Sequence, residues 1–130
     1  MTALPVLLVP GLNCTAEVFS RQIPAAWAFG PVTIADHRRG GSIAGIAAAI
    51  LADAPPRFAL LGYSMGGYIA FEMLRQARER IERIAFLATS ARLDNPEQRE
   101  NRLRQIAIAR AGKFDSIPPA AFGTRCIRTI

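Results

Sequence analysis

The stretch Phe58-Ala59-Leu60-Leu61-Gly62-Tyr63-Ser64-Met65-Gly66-Gly67 constrains this chain more than any other. An apolar run, an abrupt turn holding one serine between glycines, and a helix-compatible run follow one another without a gap. A serine wedged between a strand end and a helix start sits in a tight backbone turn. Residues two positions to either side then crowd each other, so only residues with little or no side chain fit there. The helix start behind the serine offers unpaired backbone N–H groups and the positive end of a dipole, which suit a developing oxyanion. Taken alone, Gly62-x-Ser64-x-Gly66 also fits a strand-to-helix turn with no chemistry, so its context decides.

That context is an alternation of strands and helices. Leu4 to Val9 reads as a buried strand ended by Pro10-Gly11, and Val32 to Ala35 as a second. Between them lies an aromatic-bearing segment (Phe19, Trp27, Phe29) broken by Pro24 and Pro31. Ser42 is placed to cap a helix whose Ile43, Ile46, Ala47 and Ile50 share a face, and Pro55-Pro56 stops it. Phe58 to Leu61 is the third strand. The helix after Ser64 runs from about Met65 to Ala77, with Ile69, Ala70, Met73 and Leu74 inward. Ile84 to Ala88 is uniformly apolar and reads as a fourth strand, buried on both faces as parallel strands are. Asn95-Pro96-Glu97-Gln98 has the residues of a capped helix start, opening a helix through Ala111. The chain is irregular after Gly112. This order predicts an α/β fold, a parallel sheet flanked by helices.

At 130 residues the chain is one domain at most, long enough to bury roughly two thirds of its unfolded surface. No apolar run approaches the ~18 residues of a membrane span, and Met1-Thr2-Ala3-Leu4-Pro5 lacks a basic leader region, so a cytoplasmic location is expected. Two cysteines, Cys14 and Cys126, and one histidine supply neither a disulfide framework nor a metal site; Cys14 reads as a small buried thiol. No metal and no cofactor is expected. Of 16 basic residues, 12 fall within residues 75–130, and all but one are arginine. Solvated helix faces account for that bias, and no nucleic-acid partner is expected.

Two landmarks stand in order and together resemble the alpha/beta-hydrolase superfamily: Leu7-Leu8-Val9-Pro10-Gly11-Leu12, similar to its first strand and oxyanion loop, and Gly62-Tyr63-Ser64-Met65-Gly66-Gly67, similar to its nucleophile elbow. Asp36-His37-Arg38-Arg39-Gly40-Gly41-Ser42 looks like a variant of the loop after the family's second strand, and residues 77–83 resemble the lead into its next strand. Pro10 replaces the histidine usual before the glycine. The resemblance implies Ser64 as nucleophile, with the N–H groups of Met65 and Leu12 forming the oxyanion hole. It implies a small-molecule acyl substrate, an ester, thioester or related compound.

In that family the acid and then the histidine follow the serine in the chain, and no histidine follows Ser64. His37 lies upstream, in the loop after the second strand, which the family's sheet order sets two places from the elbow strand, and it reads as a solvated or loop-bonding residue. Asp94 reads as the opening of a turn or cap segment. The triad acid and base are thus expected to be absent, the chain being the front part of a hydrolase, shortened or frameshifted. Residues 4–94 would form an incomplete alpha/beta-hydrolase sheet core. Residues 95–130 would begin a cap region and end in an atypical tail from about Gly123. Self-association through an exposed sheet edge is expected. The alternative function is a catalytically inactive hydrolase-fold binding module.

Overall fold

The structure is a computed structural model that describes residues 3–117. The expected tail from Gly123 and Cys126 lie outside the described residues. The chain divides into two compact units between Ser90 and Ala91.

The first unit is built on four parallel strands: β1 (Val6–Val9), β2 (Val32–Ile34), β3 (Phe58–Tyr63) and β4 (Ile81–Leu87). Their order across the sheet is β2-β1-β3-β4. Val6 to Leu8 of β1 stand beside Val32 to Ile34, and on the other side Val6 to Val9 stand beside Ala59 to Gly62. β1 and β3 are therefore the interior strands, and every residue of β1 is buried. Side chains alternate across the sheet. Leu7 and Val9 join Phe58, Leu60, Ile69, Met73 and Ile81 on one face. Val6 and Leu8 join Phe19 on the other, where Ile23, Val32 and Leu61 pack against them.

Helix α1 (Ile23–Ala26) is a single turn after a 3-10 turn at Ala16–Phe19; together they bring Phe19 into the second face. Pro24 and the lack of a helical repeat hid both turns from the sequence. Helix α2 (Ile43–Asp53) starts as expected at Ser42, whose Oγ accepts the Gly45 N–H at 3.1 Å. Helix α3 (Met65–Gln76) buries Ile69, Ala70 and Met73. Its Gln76 donates to the Ala44 carbonyl of α2 at 3.0 Å and to Glu72 at 2.8 Å. Arg75 also pairs with Glu72, and these bonds hold the Glu72 carboxyl down to about 2.

β4 differs from its sequence reading. It begins at Ile81, forms one edge of the sheet, and leaves Glu82, Arg83 and Ala85 exposed, with Ile84, Phe86 and Leu87 half-buried. An apolar composition shows that a strand can be covered on both faces, but not that it is.

Arg80, just before β4, closes the end of α2. Its guanidinium donates to the carbonyls of Leu51 (3.0 Å), Ala54 (2.7 Å) and Pro55 (2.8 Å) and lies 5.8 Å from the Phe58 ring centroid. Leu51 lies in the last turn of α2 and Ala54 is its cap, where carbonyls lack helical partners and a cation is favoured.

In the second unit, helix α4 (Pro96–Arg110) has the expected capping box: Asn95 Oδ1 accepts from Gln98 N–H at 2.8 Å, and Gln98 Oε1 from Asn95 N–H at 3.0 Å. Leu103 and Ile106, three residues apart on one side of the helix, are 57% and 44% exposed.

Removing the Arg80 guanidinium takes the donor from four carbonyls, those of Leu51, Ala54, Pro55 and Pro56, so Arg80→Ala is expected to lower unfolding free energy by about 1–3 kcal/mol in urea melts. An unchanged midpoint would show that the carbonyls find water instead. At Gly66 an added Cβ would sit 2.1 Å from the Val9 carbonyl oxygen, whereas at Gly41 it meets nothing. Gly66→Ala is expected to cost about 3 kcal/mol or more and Gly41→Ala less than about 0.5 kcal/mol. Equal effects in the two melts would refute the packing argument.

Candidate active site

The carboxyl ends of β1, β3 and β4 come side by side, and that edge carries the unusual backbone of the described residues. Asn13, Ser64 and Ala88 are its non-glycine residues with positive φ, at 57°, 53° and 48°. Each follows one of three neighbouring strands. Left-handed conformations in non-glycine residues are costly and gather at functional sites. In open parallel sheets, ligands bind beyond the carboxyl ends of the strands.

Ser64 occupies the junction between β3 and α3, with φ 53° and ψ −118°. Its N–H donates to the Leu87 carbonyl at 2.9 Å, and its carbonyl accepts the Gly67 N–H at 2.9 Å and the Thr89 hydroxyl at 2.8 Å. The backbone is thus fully engaged, while the half-buried side chain has no hydrogen-bond partner among the described residues. The glycines are there for steric reasons. A Cβ on Gly62 would lie 2.6 Å from the Gly66 carbonyl oxygen and 2.9 Å from Ala70 Cβ, and one on Gly66 would strike the end of β1.

The loop after β1 reaches the same place. A Cβ on Gly11 would stand 3.1 Å from Ser64 Cβ and 3.2 Å from the Tyr63 ring. The loop turns tightly there, with Cys14 N–H donating to the Gly11 carbonyl at 3.1 Å and Asn13 in the left-handed region. Leu12 sits in that turn, 44% exposed. The N–H groups of Leu12 and Met65 donate to no group of the described chain. An unengaged serine hydroxyl, with N–H groups left over on the next residue and on the neighbouring loop, supplies the parts that acyl transfer uses: a nucleophile, and donors for the oxygen it makes negative.

Cys14 is buried, as expected from the sequence. The chain's other cysteine, Cys126, lies outside the described residues. His37 sits in the loop after β2, with β1 between that strand and β3. The loop is tied to α2: Arg39 pairs with Asp53 and donates to the Ala49 carbonyl at 3.3 Å. Beside His37, Asp36 takes the Arg38 guanidinium at 2.8 Å and its N–H at 3.1 Å, which holds the Asp36 carboxyl well below the usual carboxylate range. Asp94 pairs with Arg102 at 2.6 Å within the second unit. Among the described residues no group of three or more His, Cys, Asp or Glu could hold a metal ion, and no helix is long and apolar enough to cross a membrane.

Ala88 and Thr89 went unnoticed in the sequence, where Leu87-Ala88-Thr89-Ser90 reads as a strand running out into a loop. Only the pairing of β4 with β3 reveals what they touch.

With this geometry in view, the comparisons with known proteins are specific. A family model described as a thioesterase domain matches residues 17–117. A thermophilic esterase from Thermogutta terrifontis is similar in structure with a TM-score of 0.73 at 31% identity, over 86% of this chain and 46% of that one. A hydrolase from Pseudomonas aeruginosa gives 0.67 at 22% identity, over 100% and 61%. An extracellular alpha/beta-hydrolase from a Paenibacillus species gives 0.55 at 22%, over 82% and 52%. The last two show the fold alone. The chain spans about half the length of these structures. No curated protein sequence matches it.

The backbone at Ser64 is expected to be strained in proportion to its Cβ. Ser64→Gly should therefore unfold at higher urea than Ser64→Ala, by about 1 kcal/mol in free energy. Equal stability, or a more stable alanine variant, would show that φ 53° carries no strain here.

Proposed function

Because the chain belongs to the thioesterase-domain family of alpha/beta hydrolases, we propose that it carries the nucleophile of a serine hydrolase acting on an ester, thioester or related small acyl compound. The observation that carries this reading is Ser64 itself: a hydroxyl with no hydrogen-bond partner among the described residues, on a residue at φ 53° whose backbone is held by three hydrogen bonds. A turn without chemistry has no need of a non-glycine residue there.

In the proposed reaction Ser64 Oγ attacks the acyl carbon while its proton passes to a base. The carbonyl oxygen, now negative, is held by the N–H groups of Met65 and Leu12. The C–S or C–O bond then breaks, the leaving thiol or alcohol takes the proton, and the acyl group remains on Ser64. Water repeats the sequence and releases the acid.

His37 is not proposed as the base. Its strand stands two places from β3, about 10 Å at the usual strand spacing, and its loop is anchored to α2. The 130 residues hold no other histidine. We assign base and acid to sequence outside these residues, in keeping with matched structures about twice as long. The same missing histidine favours one rival, a hydrolase fold that binds acyl compounds without turning them over.

Fluorophosphonate labelling separates the two. The natural gene product should be labelled at Ser64, with Ser64→Ala silent and His37→Ala within twofold of wild type. The 130-residue chain by itself should react at least about 1000-fold more slowly, as expected without a general base. Rapid labelling of the short chain that vanishes in His37→Ala would give His37 the role denied it here. A natural gene product inert to the probe and to short acyl thioesters would favour the binding module.

A further inference from the structure

We propose that Thr89 is a positioning residue that aims the Met65 N–H at the oxyanion; this rests on the reading of Ser64 as nucleophile. The peptide joining Ser64 to Met65 is planar and trans, so its C=O and N–H point to opposite sides. Whatever fixes the Ser64 carbonyl fixes the direction of the Met65 N–H. Two donors hold that carbonyl. The Gly67 N–H, at 2.9 Å, belongs to the first turn of α3 and moves with the helix. The Thr89 hydroxyl, at 2.8 Å, comes from the loop after β4, 25 residues along the chain, and ties the peptide to the sheet.

The loop is shaped for that bond. Leu87 accepts the Ser64 N–H at 2.9 Å, so residues 87 and 89 grip Ser64 from both of its peptide units. Ala88 between them takes φ 48°, a conformation that alanine adopts only under constraint. Gly67 leaves the room: a Cβ there would lie 2.3 Å from Thr89 Oγ1 and 2.5 Å from its methyl carbon. Thr89 therefore packs where any other residue at position 67 would exclude it. An oxyanion donor works only within a narrow distance and angle of the charge that develops. A peptide tethered by the helix alone can rock with it, whereas one tethered to β4 as well cannot.

The test separates the hydroxyl from the shape. Thr89→Val keeps the branched side chain and loses the donor; Thr89→Ser keeps the donor and loses the methyl. Both would be compared with wild type and Ser64→Ala in the natural gene product. The readouts are fluorophosphonate inactivation, resolved into kinact and KI, and amide hydrogen exchange over residues 62–69. Thr89→Val is expected to lower kinact about five- to tenfold, the worth of one net hydrogen bond, with KI within twofold. Exchange at Ser64 and Gly67, whose N–H groups are bonded, should quicken in it, and Thr89→Ser should restore most of both. Wild-type kinact and exchange in Thr89→Val would overturn the proposal, and so would equal losses in the two variants, which would assign the effect to packing. If Thr89→Val fails to fold, a loss of kinact in a folded Thr89→Ser contradicts the role of the hydroxyl, and full activity there supports it. A wild-type protein that takes no label overturns the nucleophile reading instead; faster exchange in Thr89→Val would then leave Thr89 as a structural clamp only.

Discussion

The contact on which the rest depends is that between the start of α3 and the end of β1. Gly66 brings helix backbone so near the Val9 and Pro10 carbonyls that a Cβ would lie 2.1 and 2.6 Å from them. Interiors are close-packed, and a helix cannot be held off by one methyl group without disturbing everything behind it. With α3 seated there, the chain has one residue in which to turn from strand to helix, and that residue is Ser64. Its left-handed φ is the consequence. The burial of Ile69, Ala70 and Met73 against β1 and β3 offsets the strain, which is of order 1–3 kcal/mol.

The same seat sets the chemistry available at this edge. Parallel pairing places the carboxyl ends of β1, β3 and β4 together. The loop after β1 can then lie against Ser64 because Gly11 has no side chain to stand in the way. The loop after β4 can grip the Ser64 backbone because Gly67 has none either. Each glycine of Gly62-Tyr63-Ser64-Met65-Gly66-Gly67 thus answers a different neighbour: α3, β1 and the β4 loop. What these contacts leave unengaged is one hydroxyl and the N–H groups of Leu12 and Met65.

Much of this is local and could be read from the residues. Ser42 and the Asn95–Gln98 box cap helices where they stand, since a cap is a matter of three or four consecutive residues. The crowding of Gly62 and Gly66 also follows from a turn that brings residues four apart into contact. Strand order came through the family resemblance, because no short-range pattern says which strands lie side by side. What escaped is long-range. Arg80 binds carbonyls 24–29 residues back, and Thr89 binds a carbonyl 25 residues back; neither pairing leaves a mark in the sequence near it. The edge position of β4 and the exposure of Leu103 and Ile106 on α4 were hidden for another reason. Apolar spacing tells which side of an element could be covered, while the cover itself belongs to other parts of the molecule.

If Ser64 is the nucleophile, it becomes acylated in the course of reaction. Rapid-quench mass spectrometry of the natural gene product mixed with a short-chain acyl thioester tests it most directly. Within the first turnover the acyl mass is expected on the peptide containing Ser64, decaying as free acid is released. Turnover with that peptide unmodified, or with the acyl group on another residue, would contradict it.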